Sequence, residues 1–400
     1  MNTNGIPRLS ISFVKLCKPW RPRQGTSLVS IQSLRLSRFV TSLIAISSLF
    51  LPLPAKASET KTQNVFLIMS DGLRWQEVFG GAEELLLDTK NGGVKNTNSL
   101  YREFWRETPE ARRQALLPFF WTEIAKRGQL LGNQKKGSVV NFTNGRKFSY
   151  PGYNEVLTGL ADPRIDSNAK KLNPNVTVFE WLHGRSGFQG KAAVFATWDV
   201  FPYIFNIDRS KLPIWPAWEP RFESPEIQVP ETVAALTRDT TQIWEGVIFD
   251  SFVFHAALDH LQRKQPRLLF LGFGETDEWA HAGRYDHYLT AAHQVDDFIR
   301  RLWETVQLMP QYRNKTTFII TADHGRGSGP SEWKDHGEKI AGAEGIWIAT
   351  IGPDTSPLGE RTNTAAATQS QIAAAISALL GEDYRAAFPR SAPPLEDLLK

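Results

Sequence analysis

Apolar residues in this chain gather in short unbroken runs, set apart by longer stretches in which apolar and polar residues alternate. Runs at 65–69, 192–197, 268–273, 316–322 and 345–351, with a shorter one at 139–142, are apolar or β-branched almost throughout. A run with no polar side predicts a strand buried on both faces. Between the runs the pattern lengthens to helical spacing at 73–129 (with a Gly/Asn-rich break at 91–93), 176–183, 239–262, 285–309 and 369–380. Ser149, with Pro151 two positions on, predicts a further helix start. Strands alternating with helices predict an α/β fold whose central sheet is mainly parallel and covered by helices on both faces. Residues 198–230 are rich in Pro and Trp, show little periodicity, and predict an insertion or lid over a site.

Composition changes this picture at the N-terminus. The chain is basic overall, with 46 Lys and Arg against 42 Asp and Glu. Eight of the basic residues and no acid lie within residues 1–57, so the rest holds 38 basic against 42 acidic residues. A nucleic-acid-binding reading based on net charge therefore fails. Arg35 and Arg38 precede an apolar stretch at 39–53, then the small-x-small site Ala55-Lys56-Ala57. That order predicts a targeting segment over 1–57, cleaved near Ala57, and an exported protein of the periplasm or exterior without a membrane span after cleavage. An uncleaved anchor or an organellar transit sequence are the alternatives. The lone cysteine, Cys17, falls in the removed part, leaving 58–400 as one catalytic domain without thiol chemistry.

Candidate chemistry sits where strands end. In parallel sheets the loops after the strands gather ligands and catalytic groups at one edge. Asp71 follows the first run, Asp277 follows the run at 268–273, and Asp323-His324 follows the run at 316–322. His281 lies four residues beyond Asp277 in a segment entering a helix, so both side chains can share a face. His336 lies in the loop before the last run. Carboxylate oxygen with imidazole nitrogen suits a divalent metal. Each residue alone has an ordinary explanation, as a turn former or a surface pair. Asp-His also occurs at 259–260 and 286–287 inside helical patterns, and His255 and His260 read there as packing or surface residues. The joint placement at one edge carries the signal.

With these pieces in order, the chain resembles the alkaline phosphatase superfamily. It is nearest the branch of nucleotide pyrophosphatase/phosphodiesterases and cofactor-independent phosphoglycerate mutases. The resemblance rests on Ser70-Asp71-Gly72, Ser149-Tyr150-Pro151 with Leu157-Thr158-Gly159, Asp277 with His281, Ala322-Asp323-His324-Gly325, and His336-Gly337. It implies two divalent ions, zinc ahead of manganese. Asp71, Asp323 and His324 would hold one, and Asp277, His281 and His336 the other, with Ser149 the nucleophile. Two ions about 4 Å apart can hold the attacking and leaving oxygens of an in-line displacement at phosphorus. A helix N-terminus at Ser149 would add backbone N–H groups for the phosphoryl oxygens.

The expected partner is a small-molecule phosphate ester, cleaved by a phosphodiesterase or a phosphomonoesterase. The candidates for substrate contact are Arg74, Lys147 and Asn154; Asn168 and Asn173 straddle the spacing of an asparagine found in nucleotide pyrophosphatases. Arg146, also near the motifs, has no assigned role. Tyr153 stands where sulfatases carry an arginine, which disfavours sulfate esters. Export and the short spacing argue against the mutases. A phosphotransferase acting on envelope glycans is a second enzymatic reading. A non-catalytic binding protein, using the aromatic segment at 198–218, is the rival from another class.

Overall fold

Every residue of the strand Asn64–Ser70 (β1) is buried, and its side chains alternate between two separate cores. Phe66 and Ile68 enter one; Val65, Leu67 and Met69 enter the other. This two-sided burial explains the unbroken apolar runs. The structure is a computed structural model that describes residues 60–216, 218 and 224–399. The targeting segment expected over 1–57, with Cys17, lies outside the described residues.

Among the described residues, ten further strands follow β1. They are Gln129–Leu131 (β2), Val140–Asn141 (β3), Ala192–Ala196 (β4), Ile214–Pro216 (β5), Leu268–Phe273 (β6), Thr316–Thr321 (β7), Gly345–Ile346 (β8), Ile348–Ile351 (β9), Gly359–Glu360 (β10) and Ala367–Thr368 (β11). The main sheet has eight strands in the order β10-β2-β9-β7-β1-β6-β4-β5. Strands β5, β4, β6, β1 and β7 are parallel neighbours, and β9 runs antiparallel to both β7 and β2. β3, β8 and β11 form a small second sheet. Register aligns Ser70 with Phe273 and Met69 with Thr321, so β1, β6 and β7 end at one level. Their following residues share one edge.

Helices cover both faces. Asp250–Lys264 and Tyr285–Leu308 pack on the core shared by Phe66 and Ile68; Ser149–Thr158, Val178–His183 and Ile372–Leu379 pack on the other. The pattern at 239–262 predicted one helix, but the chain forms Glu231–Asp239 and then Asp250–Lys264. Between them Gly246 takes φ +76, and Val247 bridges to Trp198 and Trp244. The expected strand at 345–351 is likewise two strands. Trp347 separates them; its indole N–H donates to the Leu73 carbonyl at 2.8 Å.

The segment expected to be an insertion is partly framework. β5 pairs with β4 at the edge of the main sheet, and Phe201–Ile204 is a helical turn packed in the second core. Residues 198–216 therefore belong to the fold rather than to a lid. Among the described residues no helix is long and apolar enough to cross a membrane.

Candidate metal centre and active-site pocket

The edge where β1, β6 and β7 end brings six predicted side chains into two adjoining sets. In one, Asp71, Asp323 and His324 are all buried; in the other, Asp277, His281 and His336 are partly open to solvent. Within each set the ligand-type atoms lie within 4.8 Å of one another.

The buried set is held from behind. Gly72 N–H donates to Asp323 Oδ1 at 3.1 Å, and Tyr153 Oη donates to Asp71 Oδ2 at 3.0 Å. The remaining oxygens, Asp71 Oδ1 and Asp323 Oδ2, are buried and accept no hydrogen bond. Both lie near His324 Nε2, at 3.3 and 3.4 Å. His324 Nδ1 faces the Gly325 carbonyl at 3.0 Å, which orients Nε2 toward the carboxylates. Orphaned buried carboxylate oxygens are costly unless a cation meets them.

Electrostatics make the same demand. Burial lowers the His324 pKa, but Asp323 and Asp71 outweigh it and raise it to about 9. Burial, together with Asp71, pushes the Asp323 carboxyl well above its ordinary range. The cluster needs positive charge at one point. Residues of this chemistry and placement fit a divalent cation.

The second set converges from one helix and one loop. Asp277 and His281 lie one turn apart on the helix Glu275–His281, with His281 Nε2 at 3.3 Å from Asp277 Oδ2. His336 Nδ1 faces the Lys147 carbonyl at 2.7 Å, leaving its Nε2 at 3.0 Å from that of His281. Burial lowers the pKa of both imidazoles, with His324 adding to it. Two neutral imidazoles with Nε2 atoms in contact need a proton or a cation between them. The His324 and His336 rings stack 3.9 Å apart and join the two sets.

Ser149 lies at their junction. Its Oγ is 3.3 Å from His324 Nε2, in a cavity of about 250 Å³ lined by Asp71 of the buried set, by Asp277, His281 and His336, and by Asn168, Trp198 and Glu278. Ser149 is the first residue of its helix and not the cap. Phe148 holds the cap position with no side-chain bond, so the serine hydroxyl is not spent on capping. Lys147 before it takes φ 58, and Glu155 anchors the approach by accepting from Thr143 N–H at 2.8 Å and Asn144 N–H at 3.0 Å. Gly152 lets the helix touch β7's exit, since a Cβ there would lie 2.3 Å from the Asp323 carbonyl.

The three substrate-contact expectations are corrected. Arg74 is fully buried and paired with Glu77 and Glu83, away from the cavity. Lys147 Nζ bonds the Ile340 carbonyl and Glu344, both at 2.7 Å. Asn154 is buried among the Leu160 carbonyl, Asn173 and Asn175. Of the two straddling asparagines, Asn173 joins that buried network, while Asn168 lines the cavity and accepts from Tyr150 N–H at 3.0 Å. That bond also narrows the helix-terminus expectation. Tyr150 N–H is taken and Pro151 has none, which leaves the N–H of Ser149. Tyr153, Glu155, Glu278 and Arg326 had no signal in the sequence beyond lying near the motifs.

Comparison with known proteins fits this geometry. A family model described as Metalloenzyme superfamily matches residues 249–380, which contain Asp277, His281, Asp323, His324 and His336. A search of the curated proteins finds no match. Among solved structures, a protein in the alkaline phosphatase superfamily from Vibrio parahaemolyticus aligns with TM-score 0.51 and 15% identity, over 86% of this chain and 71% of the other. The fold is that of the alkaline phosphatase superfamily. Murine ectonucleotide pyrophosphatase/phosphodiesterase 5 aligns with TM-score 0.51 and 14% identity, over 84% of this chain and all of its own. A phosphonate monoester hydrolase from Silicibacter pomeroyi aligns with TM-score 0.51 and 13% identity, over 84% and 76%. This alkaline phosphatase-like chain departs from the expected pattern in lacking a lysine or arginine among the described residues that line the cavity.

Proposed function

We propose that the protein is an exported, metal-dependent phosphoric ester hydrolase with Ser149 as nucleophile. The observation that carries this reading is Ser149 Oγ at 3.3 Å from His324 Nε2, where two sets of carboxylate and imidazole ligands adjoin. In this reading each set holds one divalent cation, zinc ahead of manganese. Bound there, cations supply Lewis acidity that lowers the pKa of a serine hydroxyl and offsets charge on the leaving oxygen.

The residues of the chain do the rest. Ser149 Oγ forms a bond to phosphorus as the ester bond opposite breaks, and the alcohol leaves with its oxygen. Water then cleaves the phosphoseryl ester, releasing the phosphate and restoring the serine. Tyr153 holds Asp71 and Gly72 holds Asp323, so the ligands need little rearrangement. Asn168 offers an amide beside the phosphoryl position.

Charge in the cavity favours diesters. Glu278 lines it, its side chain without a hydrogen bond or ion pair among the described residues, and burial raises its carboxyl to about 7. Above that pH a monoester dianion entering there meets a carboxylate, with no guanidinium among the described residues that line the cavity. A diester carries a single charge, as does a phosphonate monoester, the substrate class in the name of one structural neighbour.

The test is a paired assay of p-nitrophenyl phosphate and bis-p-nitrophenyl phosphate, with zinc or manganese and with a chelator. Chelator-sensitive turnover, faster on the diester, is expected. No turnover of either ester by metal-loaded protein would sink the hydrolase reading.

A further inference from the structure

Arg326 follows Asp323-His324-Gly325 and is fully buried, yet its guanidinium reaches a proposed cation ligand. Nη2 donates to the Asp277 carboxylate and, at 3.2 Å, to the Asp277 carbonyl. Nε donates to the Gly72 carbonyl at 3.2 Å and Nη1 to the Lys334 carbonyl at 2.6 Å. The planar fork is thereby fixed on three chain segments. Gly72 is shaped to it. At φ +60 a Cβ on that residue would lie 2.8 Å from Arg326 Nε and Nη2, and 2.8 Å from Asp277 Oδ1.

Asp277 Oδ1 also lies 3.8 Å from His324 Nε2 and 3.9 Å from His336 Nε2, while Oδ2 lies 3.3 Å from His281 Nε2. One carboxylate thus serves both a fixed guanidinium, through Oδ1, and the cation position. A nearby positive charge opposes a second cation, and more strongly where water is excluded. The buried set differs, because Asp71 and Asp323 each keep one oxygen free of any hydrogen-bond partner.

We infer that Arg326 is a positioning residue that fixes Asp277 and weakens cation binding by Asp277, His281 and His336. The two sets then fill in order, Asp71, Asp323 and His324 first. This rests on the two-cation reading proposed above.

The test is zinc binding to the metal-free, full-length protein, followed by equilibrium dialysis with elemental analysis. The wild type shows two classes of site, the second weaker by about tenfold or more, which corresponds to about 1.4 kcal/mol. Arg326→Gln, which keeps a donor and removes the charge, tightens the second class about tenfold and leaves the first unchanged. Arg326→Lys keeps the charge and the weak class. His281→Ala loses only the weak class, and serves if the glutamine variant does not fold. Equal classes in the wild type, loss of the tight class in His281→Ala, or an unchanged or weaker second class in Arg326→Gln would each overturn the inference. Absence of any bound zinc overturns the two-cation reading itself.

Discussion

The two ligand sets are built from similar side chains and differ in what surrounds them. The imidazole of His324 is fully buried, whereas that of His281 is 41% exposed. Asp71 and Asp323 face each other with only the His324 imidazole beside them, while Asp277 already touches Arg326. Buried like charges are tolerated only where a counter-charge is supplied. The comparison teaches that one set is incomplete without a cation and the other is partly satisfied by the protein itself.

Substitutions can break or sharpen that contrast. Ser149→Ala removes the nucleophile common to both sets, and turnover of either nitrophenyl ester should fall at least about a thousandfold at unchanged metal content. Asp323→Asn should cost a similar factor, whereas Asp277→Asn should cost about a hundredfold and recover partly in excess zinc. Equal losses, neither rescued by zinc, would erase the distinction. Metal-free Asp323→Asn should also melt higher than the metal-free wild type, since it removes an acid whose ionised form burial and Asp71 disfavour; a lower melting temperature would count against the orphaned-carboxylate argument.

Asp296 provides a control for burial alone. It is as buried as Asp323, but its two oxygens accept the N–H groups of Phe119 and Phe120 at 2.8 and 2.9 Å. It borders a separate cavity of about 710 Å³, away from the two sets. Burial still raises its carboxyl to about 7. A carboxyl that holds its proton more tightly when folded favours the folded state at low pH. That contribution declines as pH rises from about 4 to about 7 and is then constant, a change of about 4 kcal/mol. Urea unfolding of wild type and Asp296→Asn at pH 5 and pH 8 should show a decline larger in the wild type by about 3 kcal/mol, and that difference should not depend on zinc. The smallest effect expected is that of Tyr153→Phe, which frees Asp71 Oδ2 and should weaken the tight zinc class about tenfold without touching the other. Equal weakening of both classes would contradict the separation of the sets.

Much of this arrangement was legible because it follows from chain direction. A buried strand that ends in an acid, repeated three times in parallel, must deliver those acids to one edge. Asp277 and His281 share a helical turn, which spacing alone reveals. What was illegible depends on where long side chains go after they leave the backbone. Arg74 stands three residues from Asp71, yet Glu77 one turn on draws it into the core; proximity in sequence misled there. Arg326 and Tyr153 reach the centre across segments distant in the chain. The helix expected from residue 239 fails for a related reason, since its apolar spacing continues through residues 240–249 that Trp198 and Trp244 hold in extended contact.

The short stretch from Lys147 to Ser149 has a mechanical consequence. The Lys147 carbonyl accepts from His336, and two peptide bonds later the same backbone presents the Ser149 hydroxyl beside His324. The spacing between the attacking oxygen and the far imidazole is therefore set by covalent geometry, a rigid ruler only three residues long. A displacement of that segment moves the His336 acceptor and the Ser149 hydroxyl together.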